Sequence, residues 1–533
     1  MKHGLNLAFD PWIPCIRSNG SSCLASLCQC CTDPKITDIA VRPHERVSLM
    51  RFFLCIAYAA LDIPEDYTEC RDCFKNISSK IKIYLESQKD SFELFHETKP
   101  FLQIAELKLT SSPKQKSKKN DDSESNINTS VAKLDFSLAS GNSSILYDHD
   151  ALNTNRKIPI EKIALDLLTY QMFSPGGLIG QVTWKNILTS KTSCDAPCIS
   201  SSMVHTFIRG NNISETIVLN MLSVDELHSY TQLNTNWKGV PIWDKFPTSF
   251  NDKDAIYNAT YTFIGRLVPL TRSILLKSDC TSMLLGDGLS YPSYTNKSMP
   301  FPPEPSATLI LSRKNKEEER ILLNFQPGKA LWRQLHALTV LREGDGLGGC
   351  LALTHAYDYE DNGVDIVVSG LARNKASILD SVESVFHITR IMQQEDGQEI
   401  YREEVQLAEK MERDLRHAME LWRVLIDGGW NIRLQLAGGK QSDVCMKLRE
   451  QASRDYWTMV EKQGLSLLKE AINALNTDQY IPNLKKWRQI LRNSSLIAYS
   501  SACNKEGERQ LRAFVIGKRK LLSYAKKNLD MTN

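Results

Sequence analysis

No stretch of this 533-residue chain stays apolar long enough to cross a bilayer. The strongest candidate, Val47 to Leu61, is interrupted by Arg51 and reads as a buried helix. The N-terminus lacks the apolar core of a secretory leader, because Asp10, Pro11 and Pro14 follow Met1-Lys2-His3-Gly4 closely. A cytoplasmic protein with no membrane partner is expected. Signatures of common catalytic machinery are missing as well. Neither a G-x-S-x-G turn nor an H-E-x-x-H helix occurs, and Gly328-Lys329 stands without the rest of a phosphate-binding loop. The run Gly344-Asp345-Gly346-Leu347-Gly348-Gly349 has dinucleotide-loop spacing, but it follows a helical pattern rather than a strand. Nothing in the sequence makes a positive case for an active site or a cofactor.

Cysteine is not scarce. There are 14, with a cluster at Cys23, Cys28, Cys30 and Cys31 and pairs at Cys70/Cys73 and Cys194/Cys198. Disulfides are not expected in a large cytoplasmic chain. Cys28/Cys31 and Cys70/Cys73 have the spacing that lets two thiolates reach one zinc ion. Their flanks lack the glycine-rich knuckle that usually accompanies such pairs, so reduced thiols and no metal site are expected. Of the ten histidines only His149, in Tyr147-Asp148-His149-Asp150, sits among acids; a loop histidine bonded to nearby backbone is the expected role.

The length calls for more than one core. The fold class expected is α+β: a large mixed α/β domain over 1–395, then a four-helix bundle over 396–533. In the first part, helices are expected at Glu45–Leu61, Ile160–Tyr170 and Ala330–Arg342. Strands are expected at Ala307–Ser312 and Arg320–Phe325, with the charged run Ser312–Arg320 as their turn. Thr110 to Ser130 is polar, charged and free of aromatics, the composition of a mobile loop. In the second part, Leu407, Met411, Leu415, Ala418, Trp422 and Leu425 recur at steps of three and four, which is one helical face. After Gly428-Gly429, three more helical stretches follow at about 443–475, 482–499 and 505–528.

Net charge is only +3, yet it is unevenly spread. From Ile481 onward twelve basic residues face three acidic ones, a net of +9 that leaves the rest at −6. Lys485, Lys486, Arg512, Lys518, Arg519 and Lys520 are candidates for a polyanion-binding surface, with a solvated helix face as the plainer alternative.

Three loops suit contact with nucleic acid. Ser174-Pro175-Gly176-Gly177 follows a helix and carries almost no side chains, so backbone can approach a duplex closely. Ala139-Ser140-Gly141-Asn142-Ser143-Ser144 is small and polar. Gly370-Leu371-Ala372-Arg373-Asn374-Lys375 follows the strand-like run Val364–Val368, and a helical pattern is read as resuming at Ala376. The tip presents Arg373, Asn374 and Lys375 together.

In order and spacing these segments resemble the CasA family, the large subunit of the type I-E CRISPR surveillance complex, Cascade. The resemblance runs through most of the chain. It is carried by Phe9-Asp10-Pro11-Trp12-Ile13-Pro14, Ser140-Gly141-Asn142, Tyr147-Asp148-His149 and Ser174-Pro175-Gly176-Gly177. It continues with His205-Thr206-Phe207-Ile208-Arg209-Gly210, Thr216-Ile217-Val218-Leu219-Asn220 and Arg373-Asn374-Lys375-Ala376-Ser377-Ile378-Leu379. It implies a non-catalytic protein whose partners are other Cascade subunits, guide RNA, double-stranded target DNA and a helicase-nuclease. It implies that Gly176 and Gly177 lie against the minor groove at the protospacer-adjacent motif. Arg373, Asn374 and Lys375 would wedge the first base pairs apart, and Ser140, Gly141 and Asn142 would touch the guide RNA or a neighbouring subunit. Some relatives carry glutamine where this chain has Lys375. Some read the motif with a lysine ahead of the Pro300-Phe301-Pro302-Pro303 turn, where Lys297 is the nearest match. Two other classes remain open on the residues alone. A stand-alone nucleic-acid binder would use only the basic helices, and a metal-dependent enzyme would use His149 with Asp148 or the cysteine pairs.

Overall fold

A computed structural model describes the chain except for residues 1–3, 110–127, 139–156, 198–201, 233–234, 293–301, 315–316, 343–345, 357–362, 375–376, 428–442 and 530–533. The chain divides into two compact units. The first comprises Met1–Trp332 and Val340–Ile388; the second comprises Arg333–Thr339 and Thr389–Asn533.

The first unit opens with a small antiparallel sheet of β1 (Ile13–Arg17), β2 (Ser22–Ala25) and β3 (Ile36–Ile39), ordered β2-β1-β3. Trp12, just before it, is fully buried and donates its indole N–H to the Leu7 carbonyl at 2.8 Å. Helix α1 (Pro43–Leu61) starts with proline in its first turn, and the Glu45 carboxylate accepts the Arg42 backbone N–H at 2.9 Å. It is buried on nearly every side from Val47 to Tyr58, as an apolar-all-round sequence requires. Arg51, in the middle of this core helix, is the interruption seen in the sequence. The Arg51 guanidinium pairs with fully buried Glu304 and donates to the carbonyls of Leu267 and Arg266. Arg266 lies 3.4 Å from the other Glu304 oxygen. Burial works to raise the Glu304 carboxyl, but Arg51 and Arg266 outweigh it and hold it below its ordinary value. Neighbouring His205 is pushed down to about 3 by burial and packs as neutral imidazole, Nδ1 2.9 Å from Ser306 Oγ.

Helix α2 (Ile160–Phe173) packs against α1 and ends at the glycine segment, which forms β4 (Gly177–Leu178) paired with β5 (Thr192–Ser193). The central sheet is β6 (Val204–Arg209), β11 (Val364–Asn374) and β12 (Ser377–Ile388), antiparallel and ordered β6-β11-β12. Between them in sequence come two hairpins. One is β7 (Arg272–Leu276) with β8 (Ser282–Asp287), the other β9 (Leu309–Lys314) with β10 (Glu317–Leu322).

Several sequence expectations need correction. The helix expected to resume at Ala376 is strand β12. Its β-branched residues Ile378, Val382, Val385 and Ile388 favour an extended chain, and pairing with β11 along its length decides the matter. The charged run Ser312–Arg320 is mostly strand, not turn, since Lys314 already pairs with Glu317. Ala330–Arg342 holds only a 3-10 turn (Leu331–Gln334) and one helical turn (Leu335–Leu338). Of the expected 110–130 loop, Thr129–Ser130 is a short strand on β8, and 110–127 lies outside the described residues. In the glycine-rich decoy, Gly348 exchanges backbone hydrogen bonds with Leu309 and serves packing.

The second unit is a four-helix bundle of α3 (Glu395–Asp427), α4 (Asp443–Asn473), α5 (Tyr480–Ala502) and α6 (Glu508–Leu529). Met411, Leu415, Ala418, Trp422 and Leu425 are buried on α3, while Leu407 is half-buried and Ala408 takes the core position beside it. The segment Arg333–Thr339 joins this unit from the middle of the sequence. Arg333 pairs with Glu409 at 2.7 Å and lies over the Trp457 ring at 3.8 Å.

Candidate nucleic-acid interface

The glycine ribbon is fixed from beneath. Helix α2 stops because Pro175 follows Ser174, whose N–H still donates to Tyr170. Gln171, in its last turn, accepts the backbone N–H groups of Thr271 and Arg272 at 2.8 and 2.7 Å. Arg272 then reaches back, its buried guanidinium donating to the carbonyls of Pro175 and Cys194 at 2.8 and 2.7 Å. Glycine is needed at 176: a Cβ there would stand 2.8 Å from the Ser193 carbonyl oxygen and 3.1 Å from the Asp195 nitrogen. Gly177 has φ of +144°, a region L side chains rarely adopt. The next residue, Leu178, is 88% exposed.

The β11–β12 hairpin brings Arg373, near the end of β11, beside this ribbon. A bulge interrupts the pairing between Ala372 and Arg373, so Arg373 faces Ile378 rather than Leu379. Arg373 is therefore not an exposed tip residue, as the sequence reading had it. Its side chain is only 3% exposed and lies 3.3 Å from Asp195 Oδ1. That same oxygen accepts the Gly176 backbone N–H at 2.6 Å. The Arg373 backbone is clamped too, donating its N–H to Ser202 Oγ at 2.9 Å while its carbonyl accepts the Ser202 hydroxyl at 3.3 Å. Asn374 pairs in register with Ser377 at the strand end, and Lys375 lies outside the described residues. The structure thus brings Gly176, Gly177 and Arg373 together and adds Asp195, Arg272, Ser202 and Leu178, which sequence reasoning missed. In this segment the sequence marks only Cys194, as one of a cysteine pair.

Lys297 and the loop Ser140, Gly141 and Asn142 lie outside the described residues, as do Asp148 and His149. Residues on either side of 139–156 in sequence join a charged cluster. Lys162 on α2 pairs with Asp166, with Glu45 at 2.8 Å and with Asp135 at 3.3 Å, and Arg42 pairs with Asp135 at 2.6 Å. Burial pushes the Asp166 carboxyl up to about 7, against the pull of Lys162. Because the folded state holds that proton more tightly than the unfolded chain, stability present at low pH falls as pH rises from about 4 through about 7. Asp166→Asn removes the titration and leaves Lys162 with two carboxylates. We expect the variant to be more stable than wild type at about pH 8, by roughly 1–3 kcal/mol, with the difference shrinking towards about pH 4. Urea midpoints across that range check it.

Among the described residues, no three His, Cys, Asp or Glu side chains converge as a metal-binding group. Cys15 and Cys30 lie buried with sulfurs 3.5 Å apart, and burial raises the thiols of Cys30 and Cys31. No described helix is long and apolar enough to cross a membrane. On the bundle, Lys485, Lys486, Arg512, Arg519 and Lys520 are exposed. Lys518 is half-buried, its ammonium 5.8 Å from the Phe514 ring. Arg488 is drawn inward by an ion pair with buried Glu404.

A family model described as CRISPR-associated protein Cse1 matches residues 6–498. Among curated proteins, the CRISPR-associated protein CasA/Cse1 of Thermus thermophilus is 24% identical over 447 residues, spanning 79% of this chain and 78% of that one. Among solved structures, Thermobifida fusca Cse1 superposes with a TM-score of 0.75 at 17% identity, covering 99% of both chains. Thermus thermophilus CasA gives 0.71 at 19% identity, covering 98% of this chain and 99% of that one. A chain of a CRISPR RNA-guided surveillance complex gives 0.66 at 14% identity, covering 97% and 99%.

Proposed function

The chain belongs to the CRISPR-associated Cse1 family, and from that premise we propose that it is the non-catalytic large subunit of an RNA-guided surveillance complex. It reads the protospacer-adjacent motif in duplex DNA with the ribbon at Gly176 and Gly177, helped by Lys297. It starts strand separation with the hairpin tip at Asn374 and Lys375. Base pairing with the guide RNA then supplies sequence specificity. The loop Ser140, Gly141 and Asn142 meets the guide RNA or another Cascade subunit. The basic bundle surface, with Lys485, Lys486, Arg512, Lys518, Arg519 and Lys520, holds DNA phosphates. The assembled protein supports recruitment of a helicase-nuclease, without a cofactor and without a membrane.

The observation that carries this reading is the juxtaposition of ribbon and tip. Residues 176 and 373 are far apart in sequence, yet both contact one carboxylate oxygen. A side-chain-free ribbon suits close approach to a narrow groove, which offers shape and A·T-versus-G·C information. A hairpin whose Arg373 is held beside it carries the wedge next to whatever base pairs the ribbon contacts. Arg373 enters this mechanism as a support for the tip, not as an inserted side chain.

The test is duplex binding by the reconstituted guide complex, with and without this chain, on targets with varied flanking motifs. Binding is expected to need both the chain and the correct flank. Asn374→Ala/Lys375→Ala is expected to keep flank-dependent binding and lose strand opening, read by fluorescent base analogues beside the flank. A complex that binds and opens targets equally well without the chain overturns the reading.

A further inference from the structure

We infer that Asp195 is a positioning residue that couples recognition of the flanking motif to strand separation, by tying the glycine ribbon and the hairpin tip to one carboxylate oxygen. This inference rests on the function proposed above and specifies how its two halves are linked. The Gly176 amide lies 2.6 Å from Asp195 Oδ1 and the Arg373 guanidinium 3.3 Å from the same atom. Ribbon amide and hairpin cation are thus within two hydrogen-bond lengths of each other. The guanidinium is buried, so its charge requires a counter-ion held close by. Asp195 is itself held. It leaves β5 between Cys194, whose carbonyl accepts from Arg272, and Ala196, whose N–H donates to Ser174. Arg373 cannot move away from the ribbon without stretching this contact, and its backbone is separately held by Ser202. Motion imposed on the ribbon by DNA therefore passes to Arg373, and so to the end of strand β11, through two short contacts.

Asp195→Asn separates the two contacts. An amide oxygen still accepts the Gly176 N–H but carries no charge for Arg373. Arg373→Gln removes the same ion pair from the other side. Both variants are studied as full-length chains in the reconstituted guide complex, with thermal melts to establish folding. Two quantities are read separately: the affinity ratio for correct over incorrect flanks, and the rate of opening of the adjacent base pairs.

We expect each variant to slow opening by about tenfold, the loss of one charge-assisted contact, while the affinity ratio changes by less than about threefold. A target already unpaired beside the flank is expected to restore wild-type behaviour. A merely structural role does not produce that rescue. The inference is overturned if folded Asp195→Asn opens duplexes at the wild-type rate, if Arg373→Gln gives a different pattern, or if the pre-opened target fails to rescue either variant. If wild type itself shows neither flank dependence nor opening, the function reading fails and the coupling falls with it. Wild type showing both, with variants unchanged, removes the coupling alone.

Discussion

Gly176→Val is expected to abolish flank-dependent duplex binding, with a loss of at least about tenfold on the correct flank, while the chain still folds. The atoms in the way are all backbone: the Ser193 carbonyl oxygen at 2.8 Å and the Asp195 nitrogen and Cys194 carbonyl carbon at 3.1 Å from the new Cβ. Backbone cannot rotate aside as a flexible side chain can, so β4 must part from β5. Relief by overpacking of this kind costs about 1–3 kcal/mol, within what a large unit tolerates. Two consequences follow for the site. The Gly176 amide moves off Asp195, and a branched side chain stands where a groove floor would approach. Gly176→Ala is expected to show the same loss in weaker form. Equilibrium binding on matched and mismatched flanks, with a melt for each variant, measures it. A valine variant that discriminates flanks as wild type does removes the ribbon from the reading of DNA.

Glu304→Ala is expected to be the most damaging single change to the first unit, at about 3–5 kcal/mol. Glu304 is fully buried, and its two oxygens face two buried guanidinium groups, Arg51 and Arg266. Their other contacts include the carbonyls of Leu267, Arg266 and Pro302, which accept hydrogen bonds but carry no charge. Removing the carboxylate takes a close counter-charge from two buried guanidinium groups in a low-dielectric core beside His205, which burial keeps neutral. Arg51 sits in the middle of α1, a largely buried helix, so the damage falls on an element packed against β11 and α2. Urea unfolding is expected to show the full loss for Glu304→Ala and a smaller one for Glu304→Gln, which keeps the acceptor. A native-like midpoint for the alanine variant contradicts the role given to the cluster.

The bundle was legible because its helices are long and amphipathic. The face running from Met411 to Leu425 is a local pattern, and the boundaries read from it differ from the observed ones by a few residues. The glycine segment was legible for a similar reason: proline and glycine after an apolar helix leave few backbone choices. The β11–β12 hairpin was misread because Ala376-Ser377-Ile378-Leu379 alone can start a helix, and the β-branched residues that argue against one come mostly later, at Val382, Val385 and Ile388. Its strand character comes from pairing with Val364–Asn374 and through that with β6. Likewise the Thr216–Asn220 motif has its meaning only in space. Asn220 bonds both backbone groups of Ile208, and Thr216 accepts the Gly210 N–H. Asp195 was invisible for the same cause, since both of its partners are distant in sequence. An exposed-looking Arg-Asn-Lys triplet concealed that its first member faces inward, because a bulge shifts the register and the sequence has no mark for it.

The passage of Arg333–Thr339 into the second unit bears on how the chain can be divided. The polypeptide changes unit after Trp332, again after Thr339 and again after Ile388. A fragment beginning at residue 389 would contain α3 to α6 but not Arg333, leaving the Trp457 ring and Glu409 without the guanidinium that covers one and neutralises the other. The bundle is therefore not a detachable tail. Evolution by simple fusion of a helical module onto a finished α/β protein would leave a single junction, whereas this chain has three. The second unit is thus assembled from two separate stretches of the chain, 333–339 and 389–533.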